Sequence, residues 1–127
     1  MKGLPLALLL AAGCATPQPA PLAGEWGGTH VGLGLGPAGG TLDYDCAHGT
    51  IGPLAVGAGG RFTAEGTHSP GTGGPERVGQ VLPSFRATYS GTVRGDRMTL
   101  HGRLETGVQL GPFELHRGAE PILLRCL

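Results

Sequence analysis

Residues 85–104 decide the fold, and they read FRATYSGTVRGDRMTLHGRL. In residues 85–93 apolar or small side chains alternate with polar ones, and the same alternation returns in residues 98–104. A period of two is typical of strands that bury one face. Between the two runs, Arg94-Gly95-Asp96-Arg97 has the composition of a tight turn. The stretch therefore predicts an antiparallel hairpin with one face in a core.

The same period runs through most of the chain, and no segment carries a helical repeat of apolar residues over three turns. It predicts eight short strands, in residues 24–35, 42–48, 54–58, 61–68, 85–94, 97–105, 108–117 and 122–126. Sequential antiparallel strands with one apolar face avoid exposed edges by closing on themselves. We therefore expect an all-β fold, an eight-stranded antiparallel up-and-down barrel, whose interior is filled by side chains or holds one small ligand.

Composition limits the alternatives. The chain has 26 glycines and 11 prolines in 127 residues, a content also found in disordered low-complexity chains. Here the glycines alternate with apolar residues, which favours strands and turns. The eight arginines are scattered along the chain. Because a nucleic-acid-binding surface needs clustered basic residues, nucleic acid is not an expected partner.

The N-terminus has the organisation of a secretory signal. Lys2 is followed by an apolar run over residues 4–12, which is too short to cross a membrane as a helix. The run ends in Leu10-Ala11-Ala12-Gly13-Cys14, which resembles the lipobox of bacterial lipoproteins. The resemblance implies cleavage before Cys14 and attachment of lipid to its thiol. The alternative is an ordinary signal peptide with an incidental cysteine.

This interpretation predicts three parts of the chain: a signal peptide in residues 1–13, a lipidated N-terminus with a proline-rich tether in residues 14–22, and a β-barrel domain in residues 23–127. Several acyl chains, as on mature lipoproteins, give stable peripheral anchoring. We expect the bacterial cell envelope as the location, and the periplasmic face of the outer membrane if the host is Gram-negative.

Two cysteines remain once Cys14 carries lipid. In an oxidising envelope compartment an even pair predicts a disulfide, here between Cys46 and Cys126. A reactive thiol is the alternative, although the chain contains no CxxC motif.

A second resemblance concerns the ends of the barrel. Gly24-Glu25-Trp26 at the start of the first predicted strand, together with Arg125 in the last, is similar to the pattern of calycins such as the lipocalins. The resemblance implies that Trp26 closes the barrel and that Arg125 packs across its ring as a cation–π contact. Residues 26–30 and 44–51 are also similar to segments of small uncharacterised bacterial secreted proteins, which implies no activity.

Three histidines are candidate metal ligands. His48 and His68 share the parity of the apolar faces of their predicted strands, and a bulge at Gly27-Gly28 could turn His30 to the same side. If His30, His48 and His68 converged at one mouth of the barrel, their neutral imidazoles could hold a divalent zinc or copper ion. The alternative is that each histidine hydrogen-bonds to a neighbouring strand or loop.

Chemistry of other kinds has little support. Ser69 and Ser90 lack the surroundings of a nucleophile elbow, and no catalytic constellation is visible. The loop of residues 69–83, with Glu76 and Arg77, is long enough to contact a partner or ligand. We therefore expect a non-enzymatic envelope module that binds a small ligand and needs no cofactor. The alternatives are a protein-binding inhibitor or interaction lipoprotein, and a histidine-based metal-binding protein.

Overall fold

The computed structural model describes residue 3 and residues 21–71, 78–79 and 81–124. Eight strands follow one another in these residues: β1 (Gly24–Gly28), β2 (Val31–Gly36), β3 (Gly39–Tyr44), β4 (Ala47–Ile51), β5 (Arg61–Pro70), β6 (Phe85–Arg94), β7 (Arg97–Leu104) and β8 (Gln109–Arg117). Each strand pairs antiparallel with the next, and β8 pairs with β1, so the sheet closes. The predicted all-β, eight-stranded antiparallel up-and-down barrel is confirmed.

Two hairpin turns divide the chain differently from the prediction. The predicted strand over residues 24–35 is interrupted at Thr29-His30, where the His30 backbone has a φ of 72°. The predicted strand over residues 42–48 is interrupted at Asp45-Cys46, between β3 and β4. Neither turn has glycine at its two central positions, so the usual sequence mark of a tight hairpin is missing.

Two predicted strands are absent from the barrel. Residues 54–58 belong to the connection between β4 and β5, which also contains a 3-10 turn at Ala58–Gly60. The final strand ends at Arg117, and Ile122 makes only an isolated bridge to Thr29. The predicted number of strands is right because the two hairpin turns add as many strands as these two segments remove. In the described part of the chain, no helix has the length and apolar character needed to cross a membrane.

The inward faces of the strands meet in one apolar core. Among the described residues, its buried members are Trp26, Val31, Leu33, Leu35, Leu42, Ile51, Leu54, Phe62, Ala64, Ala87, Tyr89, Met98, Leu100, Leu104 and Leu115. The alternation predicted for residues 85–104 is confirmed, since burial on β6 and β7 follows the period of two. Leu54 is fully buried although it lies in a connection, and the Leu22 amide donates to its carbonyl oxygen at 2.6 Å. The interior of the barrel is thus occupied by side chains.

Trp26 lies where β1 and β8 close the barrel, and an arginine packs on its ring. Trp26 pairs across the sheet with Arg117, whose guanidinium carbon is 4.4 Å from the centre of the indole ring. Arg117 also donates to Asp96 at 3.1 Å and to the Ala23 carbonyl oxygen at 3.2 Å. Arg125 lies outside the described residues, beyond the end of β8. The contact predicted for Arg125 therefore stays a prediction, and Arg117 is the described cation on the ring.

After β8 the chain turns at Gly118 and runs back across the outer face of β1 and β2. We call residues 118–124 the strap. A Cβ on Gly27 would overlap the backbone of Ala119, and a Cβ on Gly32 would lie 2.9 Å from Pro121 Cγ. The strap can lie this close to the sheet because these two outward positions carry no side chain.

Candidate functional site: a cleft at the barrel seam

The contact between β1 and β8, which we call the seam, is the shortest strand pairing of the barrel. It contains two residue pairs, Trp26 with Arg117 and Gly27 with His116, whereas β5 and β6 share eight. The Gly118 amide donates to the Glu25 carbonyl oxygen at 2.7 Å. In this register the next hydrogen-bonded pair would be Thr29 with Glu114, but the pairing ends at Gly27. Beyond it the Gly28 carbonyl oxygen accepts from the Ile122 amide at 3.0 Å, and the two strands separate.

A cleft of about 540 Å³ opens where the strands separate. Its walls come from β1 and its following turn, from β8, and from the strap. The lining residues are Gly27, Gly28, Thr29, His30, Pro112, Phe113, Glu114, His116, Ala119, Glu120 and Ile122. The lining surface is mainly apolar, and the cleft is open to solvent on one side. Its volume is within the range of about 300–1,000 Å³ that small-molecule pockets have.

The strap is fixed to the rim of the cleft by backbone and side-chain hydrogen bonds. The Ile122 amide donates to the Gly28 carbonyl oxygen at 3.0 Å, and the His30 amide donates to the Ile122 carbonyl oxygen at 2.8 Å. Further along, the Leu124 amide donates to Asp45 Oδ1 at 2.8 Å, while Asp45 Oδ2 lies 2.6 Å from His30 Nδ1. Asp45 therefore joins the strap to the turn that contains His30.

The acidic side chains of the cleft differ in their partners. Glu114 is 3.1 Å from the Arg97 guanidinium, on the neighbouring strand β7. Glu120 has no ion-pair partner among the described residues. Within the part of the chain that the structure describes, no arginine or lysine lines the cleft. Among the described lining residues, Glu120 is thus the carboxylate without an ion-pair partner.

Phe113 connects the cleft to an aromatic cluster inside the barrel. Its ring centre lies 5.6 Å from that of Tyr44, and the Tyr44 ring centre lies 5.1 Å from that of His68. Burial, with the nearby Tyr89 hydroxyl, raises the pKa of the Tyr44 hydroxyl, and burial, with a smaller effect of His48, lowers the pKa of His68. Both side chains are held in their neutral forms. The Tyr44 hydroxyl and His68 Nδ1 are buried and have no hydrogen-bond partner among the described residues.

The structure does not bring the three candidate histidines together. His30 lies at the rim of the cleft and His68 is buried inside the barrel, but His48 is exposed on the outer face of β4. The predicted parity of His48 is wrong because the two-residue turn at Asp45-Cys46 reverses the side to which alternate residues point. Among the described residues, no group of three or more histidine, cysteine, aspartate or glutamate side chains could hold a metal ion.

Several other residues with a predicted role lie outside the part of the chain that the structure describes. Cys14, Cys126 and Arg125 lie outside the described residues, as do Glu76 and Arg77 of the loop over residues 69–83. The lipid attachment, the disulfide and the role of that loop therefore stay predictions.

Sequence reasoning missed the residues that build the cleft. Phe113 and Pro112 belong to a segment whose Gly111-Pro112 pair predicted only a bend, and the structure has a cis peptide bond at this point. The strap was predicted to be a strand because Ile122 and Leu124 alternate with their neighbours. The proline at position 112 was the available sign, because a proline within a strand marks an edge.

Comparisons with known proteins add no family to this description. No protein-family model, no curated protein and no solved structure matches the chain.

Proposed function

We propose that this chain is a lipid-anchored bacterial envelope protein and that its barrel is a non-enzymatic module that binds a small, mainly apolar ligand. The observation that carries the proposal is the seam cleft, whose volume of about 540 Å³ lies within the range of about 300–1,000 Å³ typical of ligand sites. The filled interior supports binding at the seam rather than in a central calyx.

The position of Pro21 at the barrel agrees with anchoring by lipid on Cys14. Pro21 bridges to Ala55, in the connection between β4 and β5. That connection lies at the opposite end of the barrel from the Thr29-His30 turn, which borders the cleft. A tether over residues 14–22 would therefore leave the cleft facing away from the membrane. We expect Cys14→Ser to move the protein from the membrane to the soluble fraction and to remove the acyl mass from the N-terminal peptide.

Ligand binding can be tested with an apolar fluorescent probe. We expect N-phenyl-1-naphthylamine to bind the purified full-length chain and to quench Trp26, which is the chain's single tryptophan and lies in β1 beside Gly27. Ile122→Ser should weaken binding about fivefold, because it removes roughly 1 kcal/mol of apolar contact. Val108→Ser is the matched control, since Val108 is exposed to a similar degree but does not line the cleft. Absence of probe binding, or equal losses in both variants, would refute the proposal.

A protein partner is the second candidate, and one specific observation favours it. The exposed large apolar residues Val81, Val108, Ile122 and Leu124 lie in connections, or in the strap, at the end of the barrel that borders the Thr29-His30 turn. Such residues at the end away from the tether suit the surface of an inhibitor or interaction lipoprotein. In that case Val108→Asp should abolish inhibition of an envelope-attacking hydrolase, measured as its residual activity, while binding of the probe should be unchanged.

The Cys46–Cys126 disulfide is part of the proposal. The Leu124 amide donates to Asp45, so the strap lies beside the turn that contains Cys46. Leu124 itself precedes Cys126 by two residues. A disulfide here would fasten the strap. We expect a non-reducing digest of the mature protein to contain one peptide that joins the two cysteines. Alkylation of both thiols without prior reduction would contradict the pairing.

A further inference from the structure

The charge of the seam cleft identifies a class of ligand. We propose that the cleft binds a small organic amine in its cationic form, with an apolar body against Phe113 and Ile122 and the ammonium group at Glu120. The inference rests on the proposed function, because it specifies the ligand of that same cleft.

The charged side chains of the cleft favour a cationic ligand. The carboxylate of Glu114 is compensated by Arg97 at 3.1 Å, and the His30 imidazole is hydrogen-bonded to Asp45 at 2.6 Å. The Glu120 carboxylate remains without an ion-pair partner among the described residues, in a cleft where no described lining residue is arginine or lysine. A cationic ligand would supply the missing countercharge, whereas an anionic ligand would be repelled.

The shape and polarity of the cleft walls favour a ligand with an apolar body. Phe113 and Pro112 form one side, Ile122 of the strap forms another, and the glycines of β1 add no side chain. These surfaces remove an apolar body from water. A bare inorganic cation would gain nothing from them, and the described residues offer it no group of three or more ligating side chains. An amine with an aromatic or short aliphatic body satisfies both parts of the cleft.

Glu120 belongs to the strap, so the position of the carboxylate depends on the hydrogen bonds that hold the strap. Ile122 is fixed to Gly28 and His30 on one side of Glu120, and Gly118 is fixed to Glu25 on the other. The carboxylate is therefore held beside the apolar wall rather than on a free chain end. This geometry gives the ammonium group and the apolar body fixed places at the same time.

Three probes with the same phenyl ring and differently charged ends test the inference. They are 2-phenylethylamine, 2-phenylethanol and 3-phenylpropanoate, each titrated against the purified full-length chain carrying N-phenyl-1-naphthylamine. We expect the amine to displace the fluorescent probe at a concentration about five- to tenfold lower than the alcohol, and the carboxylate to be the weakest competitor. Glu120→Gln should remove the advantage of the amine over the alcohol. Glu65→Gln is the control, because Glu65 is exposed on the outer face of β5, away from the cleft, and it should leave that advantage unchanged.

The outcomes separate this inference from the proposed function. Equal competition by amine and alcohol, or an amine advantage that survives Glu120→Gln, would overturn the amine assignment and leave ligand binding at the cleft in place. A failure of the fluorescent probe to bind the unmodified chain would overturn both. A preference for the amine that is lost in Glu120→Gln and kept in Glu65→Gln would support the assignment.

Discussion

The barrel is closed in two different ways, and the contrast lies between the wall formed by β5, β6 and β7 and the seam between β1 and β8. In the wall, β5 and β6 share eight residue pairs, as do β6 and β7. At the seam there are two, and the remaining contact comes from Trp26, Arg117 and the strap. The wall is held by its backbone ladder, whereas the seam is held by side chains and by a returning chain end.

This difference shapes the cleft of about 540 Å³ at the seam. A full ladder leaves no space between neighbouring strands, which lie less than 5 Å apart. At the seam, the ladder ends at Gly27 and His116, and the strap covers the adjacent edge without filling the gap. The part of the sheet with the fewest strand pairs is thus the part beside which the cleft opens.

The largest expected effect comes from the aromatic ring at the seam. Trp26→Ala should lower the free energy of unfolding by about 3–5 kcal/mol, because it removes a buried indole and leaves Arg117 without its ring contact. The measurement is urea denaturation followed by far-ultraviolet circular dichroism. Thr88→Ala, on the outer face of the wall, is the control and should change stability by less than about 0.5 kcal/mol. Equal effects of the two substitutions would contradict a seam that depends on side chains.

Removal of the strap compares the stability of the seam with that of the wall in the same molecule. Deletion of residues 119–127 removes two backbone hydrogen bonds of Ile122 and one of Leu124. At about 0.5–1.5 kcal/mol each, we expect a loss of roughly 2–4 kcal/mol. Hydrogen exchange should become faster at the His30 amide, whose acceptor is deleted, and stay slow in β6. Cys126→Ser in the full-length chain separates the effect of the strap from that of the proposed disulfide. Uniformly faster exchange in both regions would show that the strap is not a local element.

A single methyl group on the outer face of β2 tests how the strap is seated. Gly32→Ala places a Cβ 2.9 Å from Pro121 Cγ, while Gly36→Ala meets nothing nearer than the Gly39 carbonyl oxygen at 3.7 Å. We expect a loss of about 1–3 kcal/mol for Gly32→Ala, as for other overpacked sites. Gly36→Ala should be close to neutral. Similar melting temperatures for the two variants would mean that the strap is not packed against β2 as described.

The smallest expected effect is a change in the stability of the barrel below pH 7, and it comes from His68 in the interior. The pKa of His68 is lowered by burial and, to a smaller extent, by His48. The unfolded chain, with a histidine pKa of about 6.5, therefore takes up this proton before the folded chain does, and stability falls as the pH drops below that value. We expect His68→Gln to flatten the dependence of the urea midpoint on pH between 7.5 and 5.5. His101→Gln, on the exposed outer face of β7, should leave the dependence unchanged; an unaltered slope in the His68 variant would contradict the assignment.

The wall could be predicted from the sequence almost residue by residue, and the seam could not. In β6 and β7 the alternation of side chains is unbroken and a glycine-containing turn joins the strands, so local pattern and tertiary structure agree. His48 shows how the prediction failed elsewhere. In an uninterrupted strand His48 would point inward. The turn at Asp45-Cys46, which has no glycine at its centre to mark it, makes His48 point outward instead.

The sequence by itself determined the all-β class and the buried face of β5, β6 and β7, because a period of two in side-chain polarity is a local property that each strand carries on its own. It also marked Trp26 as the residue at the closure. Only the tertiary structure decided that Arg117 packs on that ring, that the last residues form a strap, and that a cleft opens beside Pro112. These features depend on which distant segments meet across the seam, and the pattern of neighbouring residues does not encode that meeting.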